Sequence, residues 1–180
     1  MFVRPAWTIF FSGVSLDGLR RGDLRYLYWI SLFFIFFTGC GMKTYRHPKF
    51  PYWISVPSDW KLSDDGWFLS SQGDKLRVSA FPYTGPLETF IESWRSSIQI
   101  ELVGFIIEDE SWIKIRGRKS WKMVGTLRQP DKGVEETWTV LMIDGGRYKY
   151  RLEIITPSER YRDRKPLIDK IIYSFGFKIP

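Results

Sequence analysis

Residues 137–156 read TWTVLMIDGGRYKYRLEIIT, and this stretch decides the fold class. Apolar and polar side chains alternate in Thr137–Leu141, before the DGG turn, and again in Tyr148–Leu152, after it. Such alternation indicates strands with one face on a core and the other in solvent. Because the connection is short, the two strands, 137–143 and 148–156, are predicted to be antiparallel neighbours.

Similar strand-like runs lie on both sides of this hairpin. Their connections contain turn residues, notably QPDKG at 129–133, and are short enough to favour antiparallel pairing. The predicted strands outside the hairpin are 53–56, 66–71, 76–81, 102–107, 112–116, 120–128 and a short one within 175–179. The runs 66–71 and 76–81 flank a turn and are expected to form a second hairpin. Trp60 is expected to pack back on the core.

Two segments are predicted to be helical. The first begins near Pro86, and its apolar side chains recur at the spacing of one helix face: Leu87, Phe90, Ile91, Trp94 and Ile98. We interpret this stripe as a core face rather than a cofactor site. The second segment, Ser158–Ser174, contains Pro166, so we expect a first turn and then a helix from Pro166 to Tyr173. Its predicted buried stripe is Leu167, Ile168, Ile171 and Ile172.

The order of these elements resembles the PsbP-like family over residues 50–179. The resemblance is carried by an opening strand that ends in VPSDW (56–60), a hairpin, an amphipathic helix, an antiparallel meander and a last helix that ends in IIYSF (171–175). It implies an α+β fold, in which helices pack on an antiparallel β-sheet in an α/β/α sandwich shared with a Ran-binding nuclear import factor. It also implies a mostly non-catalytic, accessory or binding role. No family metal or partner residue is carried over, and His47 lies outside the matching region.

A second resemblance concerns the first forty residues. Leu27–Phe37 is an uncharged apolar run of 11 residues, preceded by Arg20, Arg21 and Arg25. That length is typical of the apolar region of a secretory signal peptide and too short for an ordinary membrane span. The following TGCG (38–41) resembles a bacterial lipobox and predicts lipidation (palmitate) at Cys40. Two alternatives remain, an uncleaved N-terminal membrane anchor and a Cys40 that is merely a buried or free thiol.

The predicted organisation is therefore one domain behind a targeting segment. Residues 1–39 form the signal segment, of which 1–22 are hypothesised to precede the true start, 40–49 form a polar tether, and 50–180 form the domain. Without residues 1–39, which hold four basic and two acidic side chains, the totals of 27 and 20 fall to a net charge of +5. The expected location is the bacterial cell envelope, membrane-anchored by lipid. Gly41 rather than an Asp after the cysteine favours the outer membrane over the inner.

Enzymatic motifs do not stand out in this chain. One Cys and one His in 180 residues exclude a disulfide scaffold or a multi-thiolate metal site, and no phosphate loop or nucleophile elbow occurs. The acidic runs are interpreted as solvated turns or strand faces: 64–65, 108–110 and 135–136. We therefore expect no enzyme activity, no cofactor and no metal. An envelope enzyme whose carboxylate site is assembled across strands remains the alternative.

The candidate binding feature is a cationic hairpin at 112–122, WIKIRGRKSWK. Ile113 and Ile115 are expected to face one way and Lys114 and Arg116 the other, while Gly117 permits a turn that presents two more cations. The candidate contact residues are Lys114, Arg116, Arg118, Lys119, Trp112 and Trp121. The expected partner is a lipid headgroup, an acidic polymer or an acidic protein rather than nucleic acid, and the alternative is an ordinary solvated strand face. A second basic group comprises Arg160, Arg162, Arg164 and Lys165. The oligomeric state is left open.

Overall fold

The computed structural model describes residues 41–129 and 133–178. Two helices and ten strands lie within them. In chain order they are β1 (Met42–Arg46), β2 (Tyr52–Pro57), β3 (Lys61–Leu62), β4 (Phe68–Leu69), β5 (Lys75–Pro82), α1 (Leu87–Glu101), β6 (Phe105–Ile115), β7 (Arg118–Gln129), β8 (Val134–Asp144), β9 (Tyr148–Pro157), α2 (Ser158–Ser174) and β10 (Gly176–Phe177). The signal segment and Cys40 lie outside the described residues.

The strands form two antiparallel sheets. The larger sheet has seven strands in the order β3-β4-β5-β9-β8-β7-β6, and the smaller has three in the order β1-β2-β10. In the larger sheet β8 and β9 pair as the sequence predicts, with Thr137 opposite Thr156 and Asp144 opposite Lys149. The second predicted hairpin is present as β4–β5, although its first strand is only two residues long.

Helix α1 covers one face of the larger sheet. Its buried side chains are the expected Leu87, Ile91, Trp94 and Ile98. They pack on residues of β7 and β8: Trp121, Met123, Val140 and Met142. Full burial of a large apolar side chain contributes about 1.5–3 kcal/mol, so this stripe supplies a core of its own on that face.

The other face of the larger sheet is covered by α2 and the smaller sheet. Ile168, Ile171 and Ile172 of α2 join the core residues of β2 and the inward side chains of β8 and β9, and Trp60 is buried there as expected. The helices thus lie on opposite faces of the larger sheet. The predicted α+β class, an antiparallel sheet with helices packed on it in an α/β/α sandwich, is confirmed.

Strand β6 differs from the prediction. The sequence predicts two strands, 102–107 and 112–116, separated by an acidic loop, whereas β6 runs without interruption from Phe105 to Ile115. It pairs with β7 along this length, and a register shift between Ile107 and Asp109 marks a β-bulge. The acidic run 108–110 therefore lies in an edge strand. Charges and a bulge on an edge strand hinder pairing with other chains.

Helix α2 contains Pro166 without a break, contrary to the prediction of a helix from that residue. Proline removes one hydrogen bond to the carbonyl of the residue four positions earlier, here Arg162. Both residues lie on the exposed side of α2, where water can solvate that carbonyl. Before the proline, α2 is held by Tyr161, which packs against the core, and by the Arg164–Asp74 ion pair, and after the proline it is held by the buried isoleucines.

The segment 40–49, predicted to be a polar tether, contains β1. Met42–Arg46 pairs with β2, and Met42 and Tyr45 pack against the core. The polar residues Lys43, Thr44 and Arg46 are exposed, so the run lacks the alternation by which an edge strand can be detected. The final strand, β10, comprises Gly176–Phe177 and lies within the predicted range 175–179. No helix in the described part of the chain combines the length and the apolar character that spanning a membrane requires.

Candidate cationic surface

The turn of the predicted hairpin is built from two residues with left-handed backbone. Arg116 (φ 48°) and Gly117 (φ 79°) connect β6 to β7, with Ile115 opposite Arg118. Two-residue turns of this type favour Asn and Gly, and a left-handed conformation costs most other residues about 1–2 kcal/mol. Arginine therefore occupies a position at which glycine or asparagine would be less strained. Backbone strain of this kind is more common at functional positions.

Arg116 points in a different direction from the one predicted. Its Nε donates a hydrogen bond to the Phe175 carbonyl oxygen (3.2 Å), and its guanidinium carbon lies 5.5 Å from the centroid of the Trp53 ring. It therefore turns toward the smaller sheet instead of following Lys114. The strand alternation ends at Ile115 because Arg116 already belongs to the turn.

Arg46 and Trp53 extend this surface and were not among the predicted site residues. They are opposite each other in β1 and β2, and the Arg46 guanidinium carbon lies 5.9 Å from the Trp53 ring centroid. Trp53 is thus flanked by two cations, Arg46 and Arg116. Arg46, a basic residue in the predicted tether, was the only sequence signal for this part of the surface. That β1 and β2 lie beside the hairpin depends on how the two sheets pack, which the sequence does not show.

On the other side of the hairpin, Trp112 and Lys119 are in contact. The Lys119 Nζ lies 4.0 Å from the ring centroid of Trp112, which is 47% exposed. Lys119 also forms an ion pair with Glu88 at 2.7 Å, and this hydrogen bond lowers the pKa of the exposed Glu88 carboxyl. The positive charge of Lys119 is therefore partly balanced by the chain itself.

Arg118 and Lys114 differ in their surroundings. Lys114 is exposed, whereas Arg118 is half-buried near Asp144. Burial alone would raise the pKa of Asp144. The hydrogen bonds from Lys149 Nζ and the Gly146 amide, with the charges of Lys149 and Arg118, outweigh burial and lower that pKa. Asp144 is consequently a carboxylate that offsets part of the charge of Arg118.

Trp121 does not belong to this surface. It is opposite Trp112 in the register but only 2% exposed, because α1 covers it. Its ring makes an edge contact with Trp94 at 5.9 Å. The sequence shows the two tryptophans as equivalent flanks of the hairpin, and only the position of α1 distinguishes them. We define the cationic rim as Arg46, Lys114, Arg116, Arg118 and Lys119 with Trp53 and Trp112.

Three of the four cations in the second basic group make contacts within the fold. Arg160 donates to the Gln72 carbonyl oxygen (2.7 Å), Arg164 pairs with the buried Asp74 (3.3 Å), and Lys165 pairs with Asp169 (2.6 Å). Arg162 is exposed. This group therefore serves chiefly to attach α2 to the β4–β5 turn.

The acidic run of β6 also has structural partners. Glu108 accepts a hydrogen bond from Thr126, and Glu110 pairs with Arg95 of α1. Across residues 41–129 and 133–178, no three acidic, His or Cys side chains come together as metal ligands. In chemical terms, the rim offers guanidinium and ammonium donors beside aromatic rings, a combination suited to phosphate or carboxylate groups.

Comparison with known proteins shows the fold. The structure superposes on cyanobacterial PsbP (CyanoP) from Synechocystis sp. PCC 6803 with a TM-score of 0.60 and 12% identity, covering 77% of this chain and 94% of that one. LpqN of Mycobacterium tuberculosis, described as involved in cell envelope biogenesis, gives 0.58 and 14%, covering 77% and 91%. PA94 of Pseudomonas aeruginosa, described as a putative regulator, gives 0.56 and 15%, covering 76% and 97%.

No protein-family model matches the sequence, and no curated protein matches it. At these identities the structural likeness establishes a PsbP-like fold and nothing about activity.

Proposed function

We propose that this protein is a lipoprotein of the bacterial cell envelope, a non-catalytic binding module held at the membrane by an acylated Cys40. We further propose that its cationic rim contacts anionic lipid headgroups. The observation that carries the proposal is that β1 begins at Met42, two residues after the lipobox-like cysteine. A lipid chain on Cys40 is then attached almost directly to the folded domain.

In the sequence, only Gly41 separates Cys40 from β1. The Gly41 carbonyl oxygen accepts a hydrogen bond from the Ser58 amide (2.7 Å), and the next residues are paired with β2. Each extended residue spans at most about 3.6 Å, so the acyl attachment lies within a few ångströms of the domain surface. Acylation would hold that surface against the bilayer.

The position of the rim fits this arrangement. Lys43 and Arg46 are exposed on β1, and Arg46 reaches Trp53 and thereby Arg116. Arg46 follows Cys40 by six residues, so at about 3.4 Å per residue it lies at most about 20 Å away. Both can therefore contact one membrane surface. A basic side chain near an anionic surface contributes about 1 kcal/mol, which adds to the binding energy of the acyl chains.

The alternatives concern the membrane and the partner. Gly41 after the lipobox cysteine supports the outer membrane, and the fold likeness to LpqN supports an envelope location. An acidic envelope polymer or an acidic protein has the same charge chemistry as a lipid headgroup. We favour lipid because an acyl group on Cys40 would hold the domain at a bilayer, whose headgroups are then the nearest anionic groups.

The test uses the acylated full chain in vesicles. A single cysteine is introduced at Thr44, exposed on β1, or at Gln99, exposed on α1, and labelled with a fluorophore. Headgroup-spin-labelled lipid should quench the label at Thr44 more strongly than that at Gln99, and more in phosphatidylglycerol than in phosphatidylcholine vesicles.

Charge variants then assign the effect to the rim. Lys114→Gln with Arg116→Gln should remove the dependence on phosphatidylglycerol, whereas Arg162→Gln with Lys170→Gln, the same charge change on exposed positions of α2, should preserve it. Equal quenching at Thr44 and Gln99, or equal effects of the two charge pairs, would refute lipid contact through the rim.

A further inference from the structure

A cavity of about 380 Å³ lies between α1 and the larger sheet, apart from the rim. Such a volume is within the range of about 300–1,000 Å³ that small-molecule sites occupy. The apolar stripe of α1 packs over β7 and β8, which leaves the same face of β9 and β5 only partly covered. Helix residues Ser93 and Ser97, both small and exposed, line the opening.

The floor of the cavity is a group of three charges. Glu153 of β9 is buried, and its Oε2 accepts hydrogen bonds from Arg77 Nε (3.1 Å) and Nη2 (2.9 Å). Its other oxygen, Oε1, lies 3.2 Å from Arg151 Nε. Two guanidiniums thus share one carboxylate, and the group retains one positive charge. Arg77 is 35% exposed and has Asp65 nearby, so the guanidinium that most lacks a counter-charge is that of Arg151, which is 18% exposed.

Two buried donors at this cavity lack an acceptor in the described part of the chain. One is Trp138 Nε1, and the other is Arg151 Nε, which is within ion-pair distance of Glu153 but not aligned for a hydrogen bond. Both side chains line the cavity. A buried donor without an acceptor costs about 1–3 kcal/mol. A ligand oxygen that reaches either donor would satisfy it, and an anionic oxygen beside Arg151 would also balance the charge of that guanidinium.

Aromatic and aliphatic side chains form part of the remaining lining. Phe81 and Phe90 lie with ring centroids 5.3 Å apart, and Arg151 lies over the Phe81 ring at 5.1 Å. Trp94, Ile98 and Leu102 complete the apolar lining. Glu101, which is exposed, is the second carboxylate in the lining and would repel a ligand with further negative charge.

We propose that this cavity binds a small organic monocarboxylate with an apolar body, its carboxylate held by Arg151 and Arg77. Both oxygens of Glu153 face arginine nitrogens, so this carboxylate is the counter-ion of the two guanidiniums. The inference is independent of acylation and of the rim.

Calorimetry on the acylated full chain in phosphatidylcholine nanodiscs tests the proposal, with empty nanodiscs as the blank. The probes are 3-phenylpropionate and its neutral amide, which has the same shape. We expect the acid to bind with Kd below about 1 mM and at least about tenfold more tightly than the amide. No binding by the acid, or equal binding by the two, refutes the carboxylate site.

Variants locate the binding. Ser97→Trp should fill the opening and abolish binding without touching the charged group, whereas Ser96→Trp, exposed beside it on α1 and outside the lining, should leave binding unchanged. Lys114→Gln with Arg116→Gln should also leave it unchanged, which separates this site from the rim. Unaltered binding by Ser97→Trp would place the ligand elsewhere and overturn the proposal.

Discussion

Arg77 and Glu153 lie directly opposite each other in β5 and β9, and the Arg77 Nη2 approaches Glu153 Oε2 to 2.9 Å. The Glu153 side chain is 4% exposed, whereas that of Arg77 is 35% exposed. The pair therefore places a buried anion beneath a half-exposed cation. Arg151 lies beside the other carboxylate oxygen of Glu153. Removing the negative charge of Glu153 would therefore leave the two guanidiniums without a counter-ion between them.

Glu153→Gln is expected to destabilise the protein by about 2–4 kcal/mol, because breaking a buried ion pair leaves uncompensated charge. Urea unfolding followed by circular dichroism measures this difference. The matched control is Glu135→Gln, whose partner Arg128 and own side chain are both more than half exposed. That change should cost less than about 1 kcal/mol. Similar losses for both variants would show that the Glu153 group is not the stabilising contact inferred here.

Stability is expected to fall as the pH is lowered from 7.5 to 5.5, and His47 is the cause. Its Nδ1 accepts hydrogen bonds from the amides of Lys49 (3.1 Å) and Phe50 (3.0 Å), which protonation of Nδ1 would break. Burial and the charge of Lys49 lower the His47 pKa from its usual 6.5. The folded state thus binds the proton less readily, so its stability advantage is present above pH 6.5 and is lost as the pH falls through the lowered pKa.

Thermal melts across this pH range test the role of His47. His47→Phe retains a ring against Phe50 and Tyr52, whose centroids lie 5.0 Å away, but cannot titrate. The variant should be less stable at pH 7.5 and nearly insensitive to pH down to 5.5. An unchanged pH dependence in His47→Phe would assign the effect to other groups, since the chain has a single histidine.

Pro166→Ala is expected to stabilise the protein by about 1–3 kcal/mol, since proline within a helix costs about 3 kcal/mol relative to alanine. Pro166 is exposed inside α2, so the change restores one backbone hydrogen bond without removing a buried contact. The melting temperature should rise by several degrees. A lower melting temperature would mean that α2 depends on the proline.

Gly176→Ala is expected to lower the free energy of unfolding of the protein by about 1–3 kcal/mol, because the added methyl group overpacks the contact with Trp53 at the rim. A Cβ at Gly176 would lie 2.3 Å from the Trp53 ring, which is held between Arg46 and Arg116. Urea unfolding of the single and double variants provides the cycle. In a Trp53→Ala background the clash is absent and the same change should cost much less. Equal costs in the two backgrounds would disprove the contact.

The sequence was sufficient where local pattern decides the structure. The hairpin at 137–156 and the stripe of α1 were predicted because alternation, turn residues and helical spacing are local signals. Helix α2 shows the limit of such signals. Pro166 argues locally for a break, but tertiary contacts on both sides of it prevail, namely the packing of Tyr161 on the core before the proline and the burial of Ile168, Ile171 and Ile172 after it.

Contacts between distant strands could not be predicted. Trp53 meets Arg116 only because β2 of the smaller sheet lies beside the β6–β7 turn, and Arg77 meets Glu153 through a register that no single segment specifies. Trp121 was predicted to be a surface residue for the same reason, since its cover by α1 is a tertiary contact. β1 was missed because an exposed edge strand with three polar residues lacks an alternating pattern.

The most direct test of the proposed envelope lipoprotein is the intact mass of the protein purified from its native membrane, beside a Cys40→Ala variant. We expect the native protein to begin at Cys40 and to carry additional mass equal to its acyl chains, and we expect the variant to lack both the cleavage and the added mass. An unmodified native chain that retains Leu27–Phe37 would contradict acylation and would indicate an uncleaved N-terminal anchor instead.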